Sequence, residues 1–500
     1  MSKLEAYFEQ FRKNIIGIDA EFESPYGRKK IIYADWIASG RLYLPIEDAM
    51  KNTFGPFVGN THSEASETGV SMTMAYHQAQ KIIKKHVNAS ADDVIITTGT
   101  GMTGAISKFQ RILGLRVPEQ AKLYCTVGNQ IGSACINLPE TERPVVFVTH
   151  MEHHSNHTSW LESIADVVVI EPAADMNVNP ENLKAELEKY KNRPLKIGSF
   201  SACSNVTGIT PPYYELAKLM HEYNGICLVD FAASAPYVEI NMHPADPKAQ
   251  LDAIFFSPHK FLGGPGSSGV LIFNKKLYKN TVPDQPGGGT VEWTDRWGRK
   301  SYIDDIETRE DGGTPGFLQT IRIALSIRLK EKMGVKNIHD RENELIEIAF
   351  SELRKIDKLN ILVDTDQERI GVFSFYITGI HHNLMVRMLN DRFGIQVRGG
   401  CSCAGTYGHY LLDVSQEISS RITGKIDQGD ASEKPGWIRL SLHPTMTNAE
   451  LLYCTNAIKE TVENAIEWKS DYQHDKRTNE WFHKSEKRKM PEDFDPWFQF

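Results

Sequence analysis

AIFFSPHKFLGGPGSSGVLIF, residues 253–273, sets two apolar runs on either side of a lysine and a cluster of glycines. AIFFSPH (253–259) and SGVLIF (268–273) are nearly continuous in apolar residues, as strands buried on both faces are. Five further runs share this texture: DVIITTG (93–99), PVVFVT (144–149), VVVIE (167–171), KIGSFSA (196–202) and ICLVDFA (226–232). Helical patterns lie between them at 102–114, 180–191 and 213–223. Such alternation predicts an α/β fold, a three-layer sandwich around a mostly parallel seven-stranded sheet.

Beyond residue 317 the pattern changes. Residues 317–356 read as one long helical stretch. Shorter strands follow at 369–377, 394–399 and 437–442, with a helix near 383–392, which predicts a smaller α+β domain. The expected division is an N-terminal segment, 1–40, contributing to the small domain; a large domain, 41–316; the small domain, 317–465; and a C-terminal arm, 466–500. Residues 405–436, polar and glycine-containing, read as an insertion loop.

The chain has 500 residues, more than one core usually serves. A hydrophobic fraction of 41%, a charged fraction of 24% and a net charge of −8 describe a globular protein with no basic face for nucleic acid. The start, MSKLEAYFEQFRKN, has no apolar run for a signal peptide, and no membrane span is expected. Seven scattered cysteines point to reduced thiols and a cytoplasmic location.

Three strand ends carry chemistry, because ligands of a parallel sheet sit beyond its carboxyl edge. DVIITTG runs into GTGMTG (99–104), where the N–H groups of Gly101 and Met102 can face an anion at a helix start. ICLVDFA carries Asp230, a carboxylate in an apolar strand that needs a cation, donors or a proton. AIFFSPH runs into Lys260, where burial would lower the amine's pKa. Each has a plainer reading, as a connecting turn, a helix cap or a solvated loop lysine. Together they specify pyridoxal phosphate: a lysine for the Schiff base, an acid for the pyridine nitrogen and a cradle for the phosphate.

With EHHSN (152–156), SNVTG (204–208), VDFAAS (229–234) and SPHK (257–260) in that order, the chain resembles the aminotransferase class V family of fold-type I pyridoxal-phosphate enzymes. It is most similar to the cysteine desulfurase and selenocysteine lyase branch. YADWIASG (33–40), GGTPGF (312–317), RGGCSC (398–403) and WIRLSL (437–442) continue the likeness over about residues 30–460.

The resemblance implies roles. Lys260 carries the Schiff base and serves as base toward Cα. Asp230 keeps the pyridine nitrogen protonated, and His153 stacks on the ring. Thr100, Gly101, Met102, Ser257 and His259 surround the phosphate, with Thr314 arriving from the other subunit of a homodimer. Asn205 and Arg439 bind the substrate carboxylate. Arg398 occupies the family arginine, and His62 lies near the substrate entrance. RGGCSC matches R-x-G-x-x-C and places Cys403 at the desulfurase nucleophile. A metal clip is disfavoured, since C-x-C with His409 does not complete four ligands.

The implied activity is desulfuration of cysteine, or removal of selenium from its analogue, to give alanine, with a possible sulfur-acceptor protein. The alternatives are a class V aminotransferase or another carbon–heteroatom lyase that uses no cysteine and, further off, a non-catalytic binding protein of the same fold. The departures from the desulfurase pattern lie near the substrate. Ala233 stands where glutamine is usual, GTGMTG is one residue longer, and Cys401-Ser402 replaces a histidine pair.

Overall fold

The computed structural model describes residues 2–61, 65–99, 101–121 and 138–499. Seven strands form the central sheet: β1 (Asp93–Thr98), β2 (Val145–Thr149), β3 (Asp166–Ile170), β4 (Lys196–Ser201), β5 (Ile226–Asp230), β6 (Ala253–Phe256) and β7 (Gly269–Asn274). Their order is β1-β7-β6-β5-β4-β2-β3. Only β7 runs against its neighbours, β1 and β6; the other pairings are parallel.

Both faces of this sheet are covered, which explains the unbroken apolar runs. Val145 and Phe147 face one core with Leu183, Leu216 and Ile327. Val146 and Val148 face the other with Ala105, Phe109 and Trp160. Alternate side chains of one strand therefore reach opposite helical layers. β3, at the sheet edge, is only partly buried. Local signals agree with the packing: Asn179 caps the helix Pro180–Lys189 with proline at its first turn.

A second, antiparallel sheet has the order β8-β9-β11-β10, from Leu359–Ile361, Val372–Ile377, Trp437–Ser441 and Arg398–Gly400 respectively. Its core also takes in Phe8, Phe11 and Ile15 near the N-terminus, and Leu345, Leu451 and Ile458 from the helices Val335–Leu353 and Asn448–Trp468.

Three expectations need correction. Residues 317–356 are two helices, Phe317–Met333 and Val335–Leu353, broken at Gly334. Its φ of +79° is left-handed, where a side chain would be strained. Residues 394–399 divide between two sheets, since Ile395–Gln396 pairs with Ile32–Tyr33 while Arg398–Gly400 joins β11. Segment 405–436 is not an open loop: it carries the helices Gly405–Leu411 and Gln416–Asp427, the second capped by Ser415.

The last thirty residues hold a hairpin, Tyr472–Asp475 with Glu480–His483. It lies on the helix His382–Phe393, where Trp481 and Tyr472 meet Leu384 and Met388. Asn383 Nδ2 donates to Asn479 O at 2.8 Å. Among the described residues no helix is long and apolar enough to cross a membrane.

Candidate active site

The carboxyl ends of β4, β5 and β6 open onto a cavity of about 200 Å³, closed on its far side by residues of β10, β11 and the turn between β10 and the helix Gly405–Leu411. Asp230 is the last residue of β5 and Lys260 ends the short 3-10 turn Pro258–Lys260 after β6. Both line this cavity. The parallel register that sets Asp230 beside Phe255 brings their two loops together.

Burial governs the charges. Asp230 is 5% exposed and accepts one hydrogen bond, from Ala232 N–H at 2.8 Å. Desolvation raises its pKa, and the nearby Glu152 carboxylate adds to the rise, while Ala232 N–H and Lys260 oppose it. Desolvation also lowers the pKa of Lys260; Asp230 counters this, and Arg439 and Arg398 reinforce it. A carboxyl and an amine, each discouraged from carrying charge, are poised to trade protons with a ligand.

A second buried lysine shows the contrast. Lys330 is pushed by burial to about 7, yet its Nζ donates to the carbonyls of Ala235 (2.7 Å) and Val238 (2.5 Å). It fastens backbone and does not line the cavity.

At the anion end, β1 leads through Gly99 into the helix Gly101–Ile112. Met102 N–H donates to Ser257 Oγ at 2.8 Å, joining the two predicted phosphate segments. Gly101 has φ +63°, and a Cβ there would lie 2.9 Å from Ser257 Oγ, so the cradle admits only glycine. His259 shares this wall, and burial brings it to about 4.

His153 stands at the start of the helix His154–Leu161, its Nδ1 accepting from Ser155 N–H at 3.1 Å. Burial, then Lys260, lowers it to about 3, so the ring is neutral at pH 7 and suited to lie against an aromatic face. Beneath it Glu152 is 2% exposed and accepts from the hydroxyls of Thr149 and Ser201, both at 2.6 Å, and from Asn156 Nδ2 at 2.7 Å.

The opposite wall carries two arginines and a thiol. Arg398 and Arg439 are direct partners on β10 and β11. Cys403 belongs to a tight turn in which Ala404 N–H donates to Cys401 O at 3.0 Å. Ser402 and Cys403 both have left-handed φ, +51° and +57°, the pattern of a type I′ turn. Such strain is held by its surroundings. Asn205 Nδ2 donates to Ser402 O (2.8 Å), His154 N–H to Cys403 O (2.8 Å) and Gly405 N–H to His154 Nε2 (2.9 Å). The turn is pinned while the Cys403 thiol stays exposed on the cavity rim.

Cys203, a second cavity-lining thiol that follows β4, is buried, and desolvation pushes it well above its ordinary pKa, which keeps it in the unreactive thiol form. His409 has both ring nitrogens engaged, with Gly405 O and Ser419 Oγ. Among the described residues no group of three His, Cys, Asp or Glu side chains could hold a metal ion.

Of the residues singled out in the sequence, the cavity thus gathers those on the strand ends, the two arginines, Asn205 and Cys403. Thr314 is exposed and not on this wall. Thr100 and His62 lie outside the described residues. Asn205 Nδ2 gives one of its two N–H groups to Ser402 O, and its buried Oδ1 has no partner among the described residues. Asp35 and Glu152 were not anticipated.

The family model for aminotransferase class-V matches residues 124–453. The chain belongs to that family. Two probable cysteine desulfurases, from Staphylococcus epidermidis and Staphylococcus aureus, are 28% and 27% identical to it over 388 and 382 residues. These alignments cover 76% and 75% of this chain and 85% and 84% of theirs. The apo structure of a cysteine desulfurase from Thermococcus onnurineus NA1 superposes with a TM-score of 0.71 at 22% identity, covering 91% of this chain and 98% of that one. One from Escherichia coli, in an S-sulfonic acid form, gives 0.69 at 20% identity with the same coverage. These likenesses agree with the mostly parallel sheet as a fold-type I scaffold. Aminotransferase class-V is a pyridoxal-phosphate family, and the groups here fit that cofactor: a left-handed glycine turn, an amine and a buried carboxyl on one cavity.

Proposed function

We propose that this protein is a pyridoxal-phosphate-dependent cysteine desulfurase, or a close relative acting on selenocysteine. The observation that carries the reading is the meeting of Lys260, Asp230 and Cys403 on one small cavity, with a pinned turn delivering the thiol. The desulfurase names of its relatives support it.

Pyridoxal phosphate, when bound, supplies an aldehyde that condenses with amines and a ring that draws electrons from Cα. The chain's own groups do the rest. Gly101, Met102, Ser257 and His259 hold the phosphate. Asp230 keeps the ring nitrogen protonated, and neutral His153 covers one face. Arg439 grips the substrate carboxylate through its planar guanidinium. Asn205, whose backbone carbonyl accepts from Arg439 Nη1, joins it at that carboxylate with the remaining N–H of its amide. Lys260 Nζ takes the Cα proton, and burial favours the neutral amine this requires.

Cys403 Sγ, as thiolate, attacks the substrate sulfur. The Cβ–S bond breaks, its electron pair stays with carbon, protonation there yields alanine, and the sulfur remains as a persulfide on Cys403. The persulfide passes to a thiol acceptor, small or protein. The exposed position of Thr314, away from its own cavity, suits a homodimer in which each subunit completes the other's phosphate site. The protein is assigned to the cytoplasm.

The expected result is stoichiometric release of alanine and sulfide from L-cysteine in the presence of a reducing thiol. Cys403→Ala should abolish it while the visible absorbance of bound cofactor is retained. Undiminished alanine release from Cys403→Ala would contradict the nucleophile role. One observation favours a second reading, transamination: Ala233 puts a methyl on the cavity wall where glutamine is usual, and Ser234 Oγ, though buried without a partner, does not line the cavity. Turnover with keto-acid acceptors, indifferent to Cys403→Ala, would establish that alternative.

A further inference from the structure

Arg439 is 2% exposed, and across β10 and β11 it faces another arginine, Arg398. Like charges directly opposite repel, so Arg439 needs a counter-charge to stay buried there. Asp35 supplies it. Arg439 Nη2 donates to Asp35 Oδ1 at 2.8 Å, and Nη1 donates to Asn205 O at 3.1 Å. Nε is buried and has no partner.

Asp35 is itself tied to the strand that carries Arg439. Ser441 N–H donates to Ala34 O at 2.8 Å, and Ile37 N–H donates to Ser441 Oγ at 3.1 Å. The carboxylate and guanidinium therefore move as one unit. Two anchors fix the guanidinium of a residue that lines the cavity, where a carboxylate would meet it.

We infer that Asp35 is the positioning residue of the carboxylate clamp. Its hydrogen bond aims Arg439, and its charge weakens the grip, so that a monocarboxylic amino acid is held in one orientation and still released. The inference rests on reading Arg439 as the carboxylate ligand. The two effects have opposite signs and can be separated. Asparagine at position 35 keeps an acceptor for Nη2 and removes the charge; alanine removes both.

The test is titration of the purified holoenzyme with L-alanine, and with L-alaninamide, which lacks the carboxylate, followed through the cofactor's visible absorbance. Neither ligand calls on Cys403 or on desulfuration. Asp35→Asn should bind L-alanine about threefold to tenfold more tightly than the parent, from lost like-charge repulsion. Asp35→Ala should bind it at least about tenfold more weakly than Asp35→Asn, from lost aim. Affinity for L-alaninamide should be unchanged in all three. Should Asp35→Ala fail to load cofactor, the contrast between alanine and alaninamide in Asp35→Asn decides alone.

The inference is overturned if both variants bind alanine alike, if Asp35→Asn binds it more weakly than the parent, or if alaninamide follows alanine. A holoenzyme whose absorbance no amino acid alters rejects the functional reading and this inference with it. Alanine binding without desulfuration of cysteine rejects the desulfurase reading and leaves the inference standing.

Discussion

Lys260→Ala is expected to reduce turnover of L-cysteine by about 10³-fold or more, since it removes the amine proposed to take the Cα proton, the only lysine lining the cavity among the described residues. Cofactor content should fall less than activity, because the groups proposed to hold the phosphate, Gly101, Met102 and Ser257, remain in place. Single-turnover measurement of alanine formation separates the two. Lys330 offers no substitute: its ammonium is fixed by two backbone carbonyls. Residual activity within tenfold of the parent would mean that another group is the base.

Asp230→Asn is expected to act in opposite directions on catalysis and on stability. An amide cannot keep the ring nitrogen protonated, so turnover should fall by roughly 10²–10³-fold. In the cofactor-free protein, however, burial raises the carboxyl's pKa above its unfolded value. Such a group opposes folding once ionised. The penalty is absent below about pH 4, where both states are protonated, grows as pH rises, and is complete above the raised folded value. Cofactor-free Asp230→Asn should therefore unfold at higher temperature than the parent at about pH 8, the difference vanishing near pH 4. Thermal unfolding across that range checks it, and a variant less stable at every pH would show that the carboxylate is structural.

Much of this molecule is legible in the sequence because its central strands are buried on both faces. That condition forces unbroken apolar runs such as ICLVD and AIFF, and the functional residues sit where those runs stop. The smaller sheet is harder. GIQVRG reads as one strand, yet the chain turns between Gln396 and Arg398 to serve two sheets, and short strands leave no room for a periodicity to show it.

The two helices of 405–436 did carry a signal. Ser415 precedes Ile418, Ile422 and Ile426 at helical spacing, but the polar majority of the segment outweighed it. Gly334 likewise marked the break in 317–356 and was masked by the helical pattern on both sides.

In the site, the placement of Lys260 and Asp230 at strand ends on one cavity could be read from the sequence, whereas the place of Asp35 could not. It lies 404 positions from Arg439 in the chain, and nothing local distinguishes an ion-pair carboxylate from a surface one. Glu152, in EHHSN, was visible as a residue but not as a buried acid, since its burial depends on Thr149 and Ser201 from two neighbouring strands. Asn205 shows the same limit: its amide nitrogen bonds to a turn nearly two hundred residues away.

The central claim is that Lys260, opposite Asp230, carries the cofactor. Borohydride reduction of the holoenzyme, followed by proteolysis and mass spectrometry, tests it most directly. The account predicts one pyridoxyl phosphate adduct per chain, on the peptide containing Lys260. An adduct on Lys330 or any other lysine, with Lys260 unmodified, would contradict it.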